Sequence, residues 1–341
     1  MPKKIAFCAD GTWNHPHSPV LVETNDTNVY KLYKLLAVTS SQITFYDDGV
    51  GADGTPIDRL SGGAFGVGLF QKVKDGYTAI AHVYEAGDEV FIFGFSRGAY
   101  TARSIAGMIA VCGLPTRNFD PSMVETAFDA YRNRDQRAAL PAKLAAFGMD
   151  AASITMVGVW DTVGALGIPG ALFGLPDPLF GFLDTGLNPK VKNAYHAMAI
   201  DERRSEFHPT LWTSAAAPGQ VVSQVWFPGV HCDVGGGYPE AGLSSISLSW
   251  MLKQALALGI EVVHPAADQY PSPMPQKFAL DQIHESWNLL WGFPRRRTVD
   301  AAMPLASDVE VRVDAEDGYA PPNLNYDASG KLTGYNFEPV V

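Results

Sequence analysis

Residues 89–103 read EVFIFGFSRGAYTAR, in which an apolar run, a glycine-flanked turn and a helix-like segment follow one another directly. The run Glu89 to Phe93 has the continuous apolar character of a strand that is buried on both faces of a parallel sheet. Ala99 to Ala110 has the apolar spacing of a helix. The turn between them, Gly94-Phe95-Ser96-Arg97-Gly98, matches the G-x-S-x-G nucleophile elbow, which lifts a serine hydroxyl above the strand ends. The pattern predicts that Ser96 is a catalytic nucleophile.

Further apolar runs and helical segments alternate on both sides of this turn. Such alternation predicts an α/β fold with a mostly parallel sheet and helices on both faces, and the elbow points to the α/β-hydrolase fold. The predicted strands are Ile5 to Ala9, Ile43 to Tyr46, Val90 to Phe95, Thr155 to Trp160, Tyr195 to Ile200 and Val221 to Phe227. The predicted helices include Val29 to Val38, Leu69 to Tyr84 and Thr101 to Val111.

The composition bounds the class of protein. The chain has 341 residues, of which 47% are hydrophobic, so it can bury a large core, and we expect one catalytic domain over residues 1–341. Its net charge of −11 argues against nucleic acid as a partner, because such binding needs clustered Lys and Arg. The three cysteines, Cys8, Cys112 and Cys232, do not suggest a disulfide framework, and we expect a reducing compartment.

The N-terminus and the longer apolar segments bear on localisation. Asp10 interrupts the first apolar run before it reaches the length of a signal-peptide core, about 7–15 residues. No segment approaches the roughly 18 uninterrupted apolar residues of a membrane-spanning helix. We therefore expect a cytoplasmic protein, or one that is exported without a signal peptide.

Two segments stand apart from the alternation of strands and helices. Ala165 to Thr185 contains prolines, glycines and phenylalanines but no Lys or Arg, which fits either a packed loop or a lid-like insertion over the substrate. As a lid, it would place Phe173 and Phe180 against an acyl chain. Residues 265–341 begin with a proline-rich stretch, and we expect this C-terminal segment to pack on the domain.

A serine nucleophile needs a histidine base from later in the chain. His231 follows the run Val221 to Phe227, which we take as the last strand, and is expected to lie in a glycine-rich loop. This position fits the chain order nucleophile, acid, base, so we predict that His231 is the base. Three other histidines stay open as alternatives: His196, His208 and His264.

Two aspartates that end predicted strands, Asp161 and Asp201, can orient the imidazole. Asp161 has small, uncharged neighbours, so we expect its carboxylate to meet the imidazole instead of an arginine. Asp201 is followed by Arg203 and Arg204, which suit a structural ion pair. We predict that Asp161 is the acid and keep Asp201 as the alternative.

Backbone N–H groups are the expected oxyanion donors. Arg97 follows the nucleophile and begins the helix, so its N–H is the first predicted donor. The loop after the first strand is expected to supply the second donor, from Gly11 or Thr12. This chemistry requires no cofactor.

Six motifs in order along the chain together resemble a known family. They are Phe7 to Asn14, Tyr46 to Gly51, Gly87 to Arg103, Val159 to Gly164, Ile200 to Phe207 and Trp226 to Tyr238. This set resembles the family of α/β hydrolases that includes the phospholipase effectors of type VI secretion. The resemblance implies a Ser–Asp–His triad and an esterase or phospholipase A activity on a small-molecule or lipid ester. It leaves open a peripheral membrane contact and an association with secretion machinery.

The sequence therefore predicts a serine hydrolase that cleaves carboxylic esters, above all acyl esters of lipids or phospholipids, through an acyl-enzyme. Two other functions stay open. The cleft could hold a lipid or a partner without catalysis, because a fold does not guarantee an activity. Asp10, Asp161 and Asp233 could instead gather around a divalent cation for phosphoester hydrolysis, since hard cations take oxygen ligands.

Overall fold

The computed structural model describes most of the chain. The described residues are 2–11, 26–49, 62–117, 119–164, 186–263, 266–315 and 318–341. Within these ranges, no helix combines the length and the apolar composition that crossing a membrane requires. The segment Ala165 to Thr185, which was predicted as a loop or lid, lies outside the described residues, and so do its Phe173 and Phe180.

An eight-stranded parallel sheet forms the centre of the structure, with order β2-β1-β3-β6-β7-β8-β9-β10. β4 and β5 form a separate antiparallel pair. The strands are β1 (Lys4–Ala9), β2 (Gln42–Asp47), β3 (Glu89–Phe95), β4 (Leu114–Pro115), β5 (Met149–Asp150), β6 (Ile154–Trp160), β7 (Val191–Ala199), β8 (Val221–Phe227), β9 (Leu305–Ala306) and β10 (Phe337–Glu338). The predicted α/β architecture with a mostly parallel sheet is confirmed.

Helices cover both faces of this sheet. They are α1 (Asn28–Leu35), α2 (Gly62–Val83), α3 (Arg97–Cys112), α4 (Ser122–Arg132), α5 (Leu140–Leu144), α6 (His231–Gly235), α7 (Gly242–Ala257), α8 (Ala266–Gln269) and α9 (Ser307–Asp314). Successive residues of β1 separate the faces: Ile5 and Phe7 belong to the core with α2, α3 and α4, whereas Ala6 and Cys8 belong to the core with α1 and α7. Burial on both faces explains why the strands are continuous apolar runs.

The order of the strands determines which edge of the sheet can hold a ligand. After β1, the chain places β2 on one side of β1 and β3 on the other. Ligand sites in open α/β sheets lie at the carboxyl ends of the strands at such a switch point. Asp10 follows β1, Ser96 follows β3 and Asp161 follows β6, so all three stand at this carboxyl edge.

The C-terminal segment contributes strands as well as packing. β9 pairs with β8, and β10 pairs with β9, so β8 is not the last strand. Leu305 and Val309 from this segment share a buried cluster with Trp226 of β8. His231, which was expected in a glycine-rich loop, is instead the first residue of the short helix α6. The glycines follow that helix.

Candidate active site

The elbow that holds Ser96 has the strained, tightly packed geometry that its sequence predicts. Ser96 lies between β3 and α3 with φ 58° and ψ −122°, a conformation that L-residues rarely adopt. A Cβ added at Gly94 would lie 2.5 Å from the carbonyl oxygen of Gly98. One added at Gly98 would lie 2.2 Å from the carbonyl oxygen of Ala9 in β1. The turn therefore needs glycine on both sides of the serine, because its backbone lies against the helix and against β1.

Helix α6 brings His231 to this elbow. The ring of Phe95, the residue before Ser96, has its centroid 4.6 Å from that of the His231 imidazole. Gly235, at the other end of α6, packs so closely that a Cβ there would lie 2.0 Å from the same Phe95 ring. Phe207 contacts the imidazole as well, with 4.8 Å between ring centroids. His231 is therefore held in an apolar setting directly beside the elbow.

Asp161, at the carboxyl end of β6, is the carboxylate that pairs with His231. Its Oδ2 lies 2.5 Å from His231 Nδ1, and both side chains are almost completely buried. Asp161 also has a positive φ of 39°. Among the non-glycine residues that the structure describes, only Ser96 and Asp161 have a positive φ. Backbone strain of this kind typically clusters at functional sites.

Arg297, for which the sequence carries no motif, is a second partner of Asp161. Its two terminal nitrogens reach the carboxylate at 2.6 Å (Nη1 to Oδ1) and 2.8 Å (Nη2 to Oδ2). The same nitrogens donate to the carbonyl oxygens of Ala199 and Phe207, at 2.7 and 2.5 Å. We had expected Asp161 to meet the imidazole instead of an arginine, and this was wrong, because it meets both.

The contact with Arg297 determines whether the Asp161 carboxyl is ionised. Burial alone would raise the pKa of the Asp161 carboxyl, but the Arg297 guanidinium and the hydrogen bond with His231 hold it well below its ordinary value. Burial lowers the pKa of His231 below its ordinary value of 6.5, against the opposing effect of Asp161. At neutral pH the site therefore combines an ionised aspartate with a neutral imidazole, which can act as a base.

Glu202 contacts the backbone of His231. It is buried, accepts a hydrogen bond from the backbone N–H of His231 at 3.3 Å, and forms an ion pair with Arg204 at 2.8 Å. Ser286 donates its hydroxyl to the same carboxylate, at 2.9 Å. Burial would raise the pKa of Glu202, but Arg204 holds it well below its ordinary value. The start of α6 is therefore fixed by a charged group that was not identified from the sequence.

Asp201, the alternative acid, has different partners. Its Oδ2 accepts the backbone N–H of Gly229 at 2.6 Å and the hydroxyl of Tyr319 at 2.8 Å. Burial raises the pKa of Asp201 to about 6. The expected ion pair with the neighbouring arginines is not formed, since Arg204 pairs with Glu202 and Arg203 pairs with Glu285. Asp201 instead fastens the turn that leads from β8 into α6.

The alternative bases occupy other surroundings. His196 lies inside β7, fully buried, where its Nε2 accepts the backbone N–H of Thr162 at 3.0 Å. Burial lowers the pKa of His196 to about 3, so it is a neutral core residue. His208 is exposed, and His264 lies outside the described residues.

Two of the three predicted oxyanion donors, Arg97 and Gly11, lie among the residues that the structure describes. Arg97 is the first residue of α3, where backbone N–H groups lie outside the hydrogen-bond ladder of the helix itself. The N–H of Gly11 donates to the Asp10 carboxylate at 2.6 Å. Thr12 lies outside the described residues.

The three aspartates of the proposed cation site have separate protein partners. Asp10 accepts hydrogen bonds from the hydroxyls of Thr27 and Tyr46, at 2.6 and 2.8 Å. Asp233 pairs with His284 at 2.6 Å, whereas Asp161 pairs with His231 and Arg297. In the described part of the chain, no three His, Cys, Asp or Glu side chains form a group that could hold a metal ion. Among the described residues, the three aspartates are therefore held apart by different partners.

Together, the fold and the site define an α/β protein with a strained serine elbow beside a buried histidine–aspartate pair. Residues 3–254 match the family described as "T6SS, Phospholipase effector Tle1-like, catalytic domain". The chain belongs to this family, as its motifs predicted. Arg297 lies beyond the matched residues.

Individual relatives are more distant. The uncharacterised protein YEL023C of Saccharomyces cerevisiae is 30% identical over 238 residues, covering 62% of this chain and 33% of the yeast protein. An uncharacterised protein from Pseudomonas aeruginosa superposes with a TM-score of 0.46 at 16% identity, over 79% of this chain and 48% of that one. The Tle1 effector bound to the VgrG spike superposes with a TM-score of 0.40 at 17% identity. The superposition covers 70% of this chain and 51% of the effector chain. The chain thus spans about a third to a half of these relatives' lengths.

Proposed function

We propose that this chain is a serine hydrolase with the α/β-hydrolase fold, which cleaves acyl esters of phospholipids through Ser96, His231 and Asp161. The main support is the coincidence of strain and pairing at one edge of the sheet. Ser96 and Asp161 both have a positive φ, and His231 contacts the elbow and the aspartate. Each strained residue costs about 1–3 kcal/mol, which a fold retains where function depends on the conformation.

In the first step, Ser96 Oγ attacks the ester carbonyl carbon while His231 removes the hydroxyl proton. Nδ1 of His231 is bound to Asp161, so Nε2 is the ring nitrogen that takes this proton. When the tetrahedral intermediate collapses, the alcohol leaves with the proton from Nε2 and an acyl-serine remains. Water, deprotonated by the same nitrogen, then releases the fatty acid and restores the serine.

Arg297 acts on this reaction through the acid and is a positioning residue. Its two hydrogen bonds fix both carboxylate oxygens of Asp161, so that Oδ2 stays directed at His231 Nδ1. Its charge keeps the aspartate ionised within an apolar interior. The carboxylate can then stabilise the imidazolium that forms when His231 takes the serine proton.

The oxyanion would be stabilised by the backbone N–H of Arg97 and by a second donor from the loop after β1. Arg97 is the more direct assignment, because it follows the nucleophile and opens α3. For Gly11 to serve as the second donor, its N–H would have to leave the Asp10 carboxylate. Thr12 stays a prediction for the same role.

The substrate class follows from the family, whose description names phospholipase effectors. Within this proposal, the acyl chain lies against the segment Ala165 to Thr185, where Phe173 and Phe180 stay predicted contacts. Association with secretion machinery belongs to the same proposal, since the family description names type VI secretion effectors.

The proposal is tested by labelling with a fluorophosphonate, followed by peptide mapping and by turnover of p-nitrophenyl acetate and of a phospholipid. We expect the label on Ser96, and we expect Ser96→Ala to lose both the label and turnover, because only the attacking oxygen is removed. Ser122→Ala, at an exposed serine in α4, is the matched control and should behave as wild type. Wild-type turnover in a folded Ser96→Ala variant would refute the triad.

A further inference from the structure

A loop beside the candidate site exposes large apolar side chains. We call residues 287–296 the apolar loop; its sequence is WNLLWGFPRR. Leu289 is 86% exposed and Phe293 is 95% exposed, which makes them the most exposed large apolar residues in the described part of the chain. Large apolar side chains that are exposed to this degree within one short loop mark a candidate surface for binding.

The loop holds its shape through its own hydrogen bonds. The indole Nε1 of Trp287 donates to the carbonyl oxygen of Gly292 at 3.2 Å, which closes the loop. Within it, the backbone N–H of Trp291 donates to the Asn288 carbonyl at 3.0 Å, and that of Gly292 to the Leu289 carbonyl at 3.2 Å. Leu289 and Phe293 are therefore presented to solvent by a defined turn.

The loop is connected to the candidate site at two points. The Trp291 ring packs edge-on against Phe207 with 5.6 Å between centroids, and Phe207 in turn packs against the His231 imidazole. Arg297, which binds Asp161, follows the last residue of the loop directly. A surface that contacts the apolar loop therefore lies next to the triad.

The charges at the end of the loop indicate the kind of surface. Arg295 and Arg296 are both exposed, and neither pairs with a carboxylate in the described part of the chain. The nearby Glu285 is engaged by Arg203. The chain as a whole is acidic, with a net charge of −11. An exposed apolar turn followed by two arginines that pair with no described carboxylate differs from this overall character. Aromatic and aliphatic side chains flanked by arginines suit the interface of an anionic lipid bilayer.

We propose that the apolar loop docks this protein on the surface of an anionic phospholipid bilayer. Leu289 and Phe293 would enter the interface between head groups and acyl chains, while Arg295 and Arg296 would meet the lipid phosphates. A second copy of the chain fits less well, because a two-fold contact would bring the two pairs of arginines together. The proposal deepens the proposed function, because docking would bring the ester groups of lipids to the edge that carries Ser96.

Binding is measured with full-length protein that carries Ser96→Ala, so that hydrolysis cannot alter the vesicles. Co-sedimentation is compared on vesicles of phosphatidylglycerol with phosphatidylcholine and on vesicles of phosphatidylcholine alone. The test variants are Leu289→Ser with Phe293→Ser, and Arg295→Gln with Arg296→Gln. Val38→Ser is the matched control, since Val38 is 73% exposed but precedes the amino end of β2, at the opposite edge of the sheet.

We expect the apolar double variant to lose roughly 10-fold or more of its binding to the mixed vesicles. The arginine double variant should lose about 10-fold on the mixed vesicles and little on phosphatidylcholine alone. Val38→Ser should bind as the parent does. Turnover of p-nitrophenyl acetate, measured with Ser96 restored, should stay near wild type in the apolar variant.

The docking proposal is overturned if the parent protein binds neither vesicle, or if the apolar variant binds both as the parent does. It is also overturned if the apolar variant changes the oligomeric state in sedimentation without changing vesicle binding, because the loop would then join copies of the chain. Vesicle binding by the Ser96→Ala protein, together with a wild-type protein that a fluorophosphonate does not label, would refute the triad while the docking role stands.

Discussion

Two histidine–carboxylate pairs meet at helix α6. Their contact distances are similar, but they differ in burial and in their further partners. His231 Nδ1 lies 2.5 Å from Asp161, and His284 Nδ1 lies 2.6 Å from Asp233. The first pair is buried and has Arg297 behind it. The second is partly exposed, and His284 Nε2 also contacts Glu240 at 3.1 Å.

The difference shows that a short histidine–carboxylate contact does not by itself define a catalytic pair. Asp233 accepts the backbone N–H groups of Val230 and His284, at 2.9 and 3.1 Å, and so holds the start of α6 in place. The hydrogen bond of Asp161 to α6 instead goes to the imidazole that we propose as the base. One pair therefore fixes the helix, and the other is the pair that we propose as the support of the reaction.

The largest expected effect separates the two aspartates. Asp161→Asn should lower turnover of p-nitrophenyl acetate by about 10,000-fold, because an amide neither holds the required tautomer nor stabilises the imidazolium. Asp233→Asn should instead lower the free energy of unfolding by about 1–3 kcal/mol, because it weakens the acceptor for buried N–H groups. Turnover and urea unfolding are measured for both variants.

Asp201→Asn is the control for the first experiment, because Asp201 is a half-buried carboxylate that likewise follows a strand. We expect it to retain most of its turnover. An inactive, folded Asp201→Asn beside an active Asp161→Asn would reverse the assignment of the acid. A folded Asp233→Asn with the same loss of turnover as Asp161→Asn would remove the distinction between the two pairs.

A smaller effect is expected when Arg297 is replaced. Arg297 binds the buried pair, Asp161 with His231, and has no counterpart in the other pair. Arg297→Gln should lower the free energy of unfolding by about 3–5 kcal/mol, because it leaves the Asp161 charge buried without its counter-charge. Arg297→Lys, which keeps the charge but not the two-nitrogen contact, should recover part of this loss.

Urea unfolding of these two variants is compared with that of Arg296→Gln, whose exposed side chain should contribute less than about 0.5 kcal/mol. Turnover near pH 7 should fall together with stability in Arg297→Gln, and should be partly restored in Arg297→Lys. Wild-type stability and turnover in Arg297→Gln would mean that Asp161 does not depend on its arginine.

The smallest effect concerns the pH dependence. The neutral imidazole is the proposed base, and burial lowers the pKa of His231. Activity should therefore persist as the pH falls through 6.5, the ordinary value for histidine, and be lost only below it, by about tenfold per pH unit. The profile of kcat/KM on a soluble ester gives the midpoint of this acid limb.

His284→Gln is the comparison for the pH profile, because it removes the second imidazole and leaves the first in place. Its acid limb should have the wild-type midpoint. A midpoint above 6.5 in the wild type, or a shift of the midpoint in His284→Gln, would contradict the assignment of the base to the buried pair.

The sheet was predictable because its strands carry their own signal. β1, β3 and β6 are buried on both faces, so each is a continuous apolar run that stands out from its surroundings. β9 and β10 have two residues each, and no pattern can form over that length. The predicted strands are those long enough to carry a pattern, whereas the missed strands β4, β5, β9 and β10 have two residues each.

The site was predictable to the extent that chemistry depends on local chain geometry. Ser96 lies in a turn that constrains five consecutive residues, so the motif identifies it. Arg297 has no such signal, because its partner lies 136 residues earlier. It is the last of three consecutive arginines, and nothing in the sequence tells which one is buried. Arg204 was paired with the wrong neighbour because adjacency in the chain does not decide between Asp201 and Glu202.

The separation of 136 residues between Asp161 and Arg297 matters for the synthesis of the protein on the ribosome. The ribosome adds Asp161 long before Arg297, and at a synthesis rate of about 5–20 residues per second the interval lasts roughly 7–27 s. By the end of that interval the serine, the aspartate and the histidine have all been made, but the aspartate still lacks the cation that neutralises it. Asp161, the acid that we propose, can therefore gain its arginine only after the segment that follows the match to the family's catalytic domain has been translated.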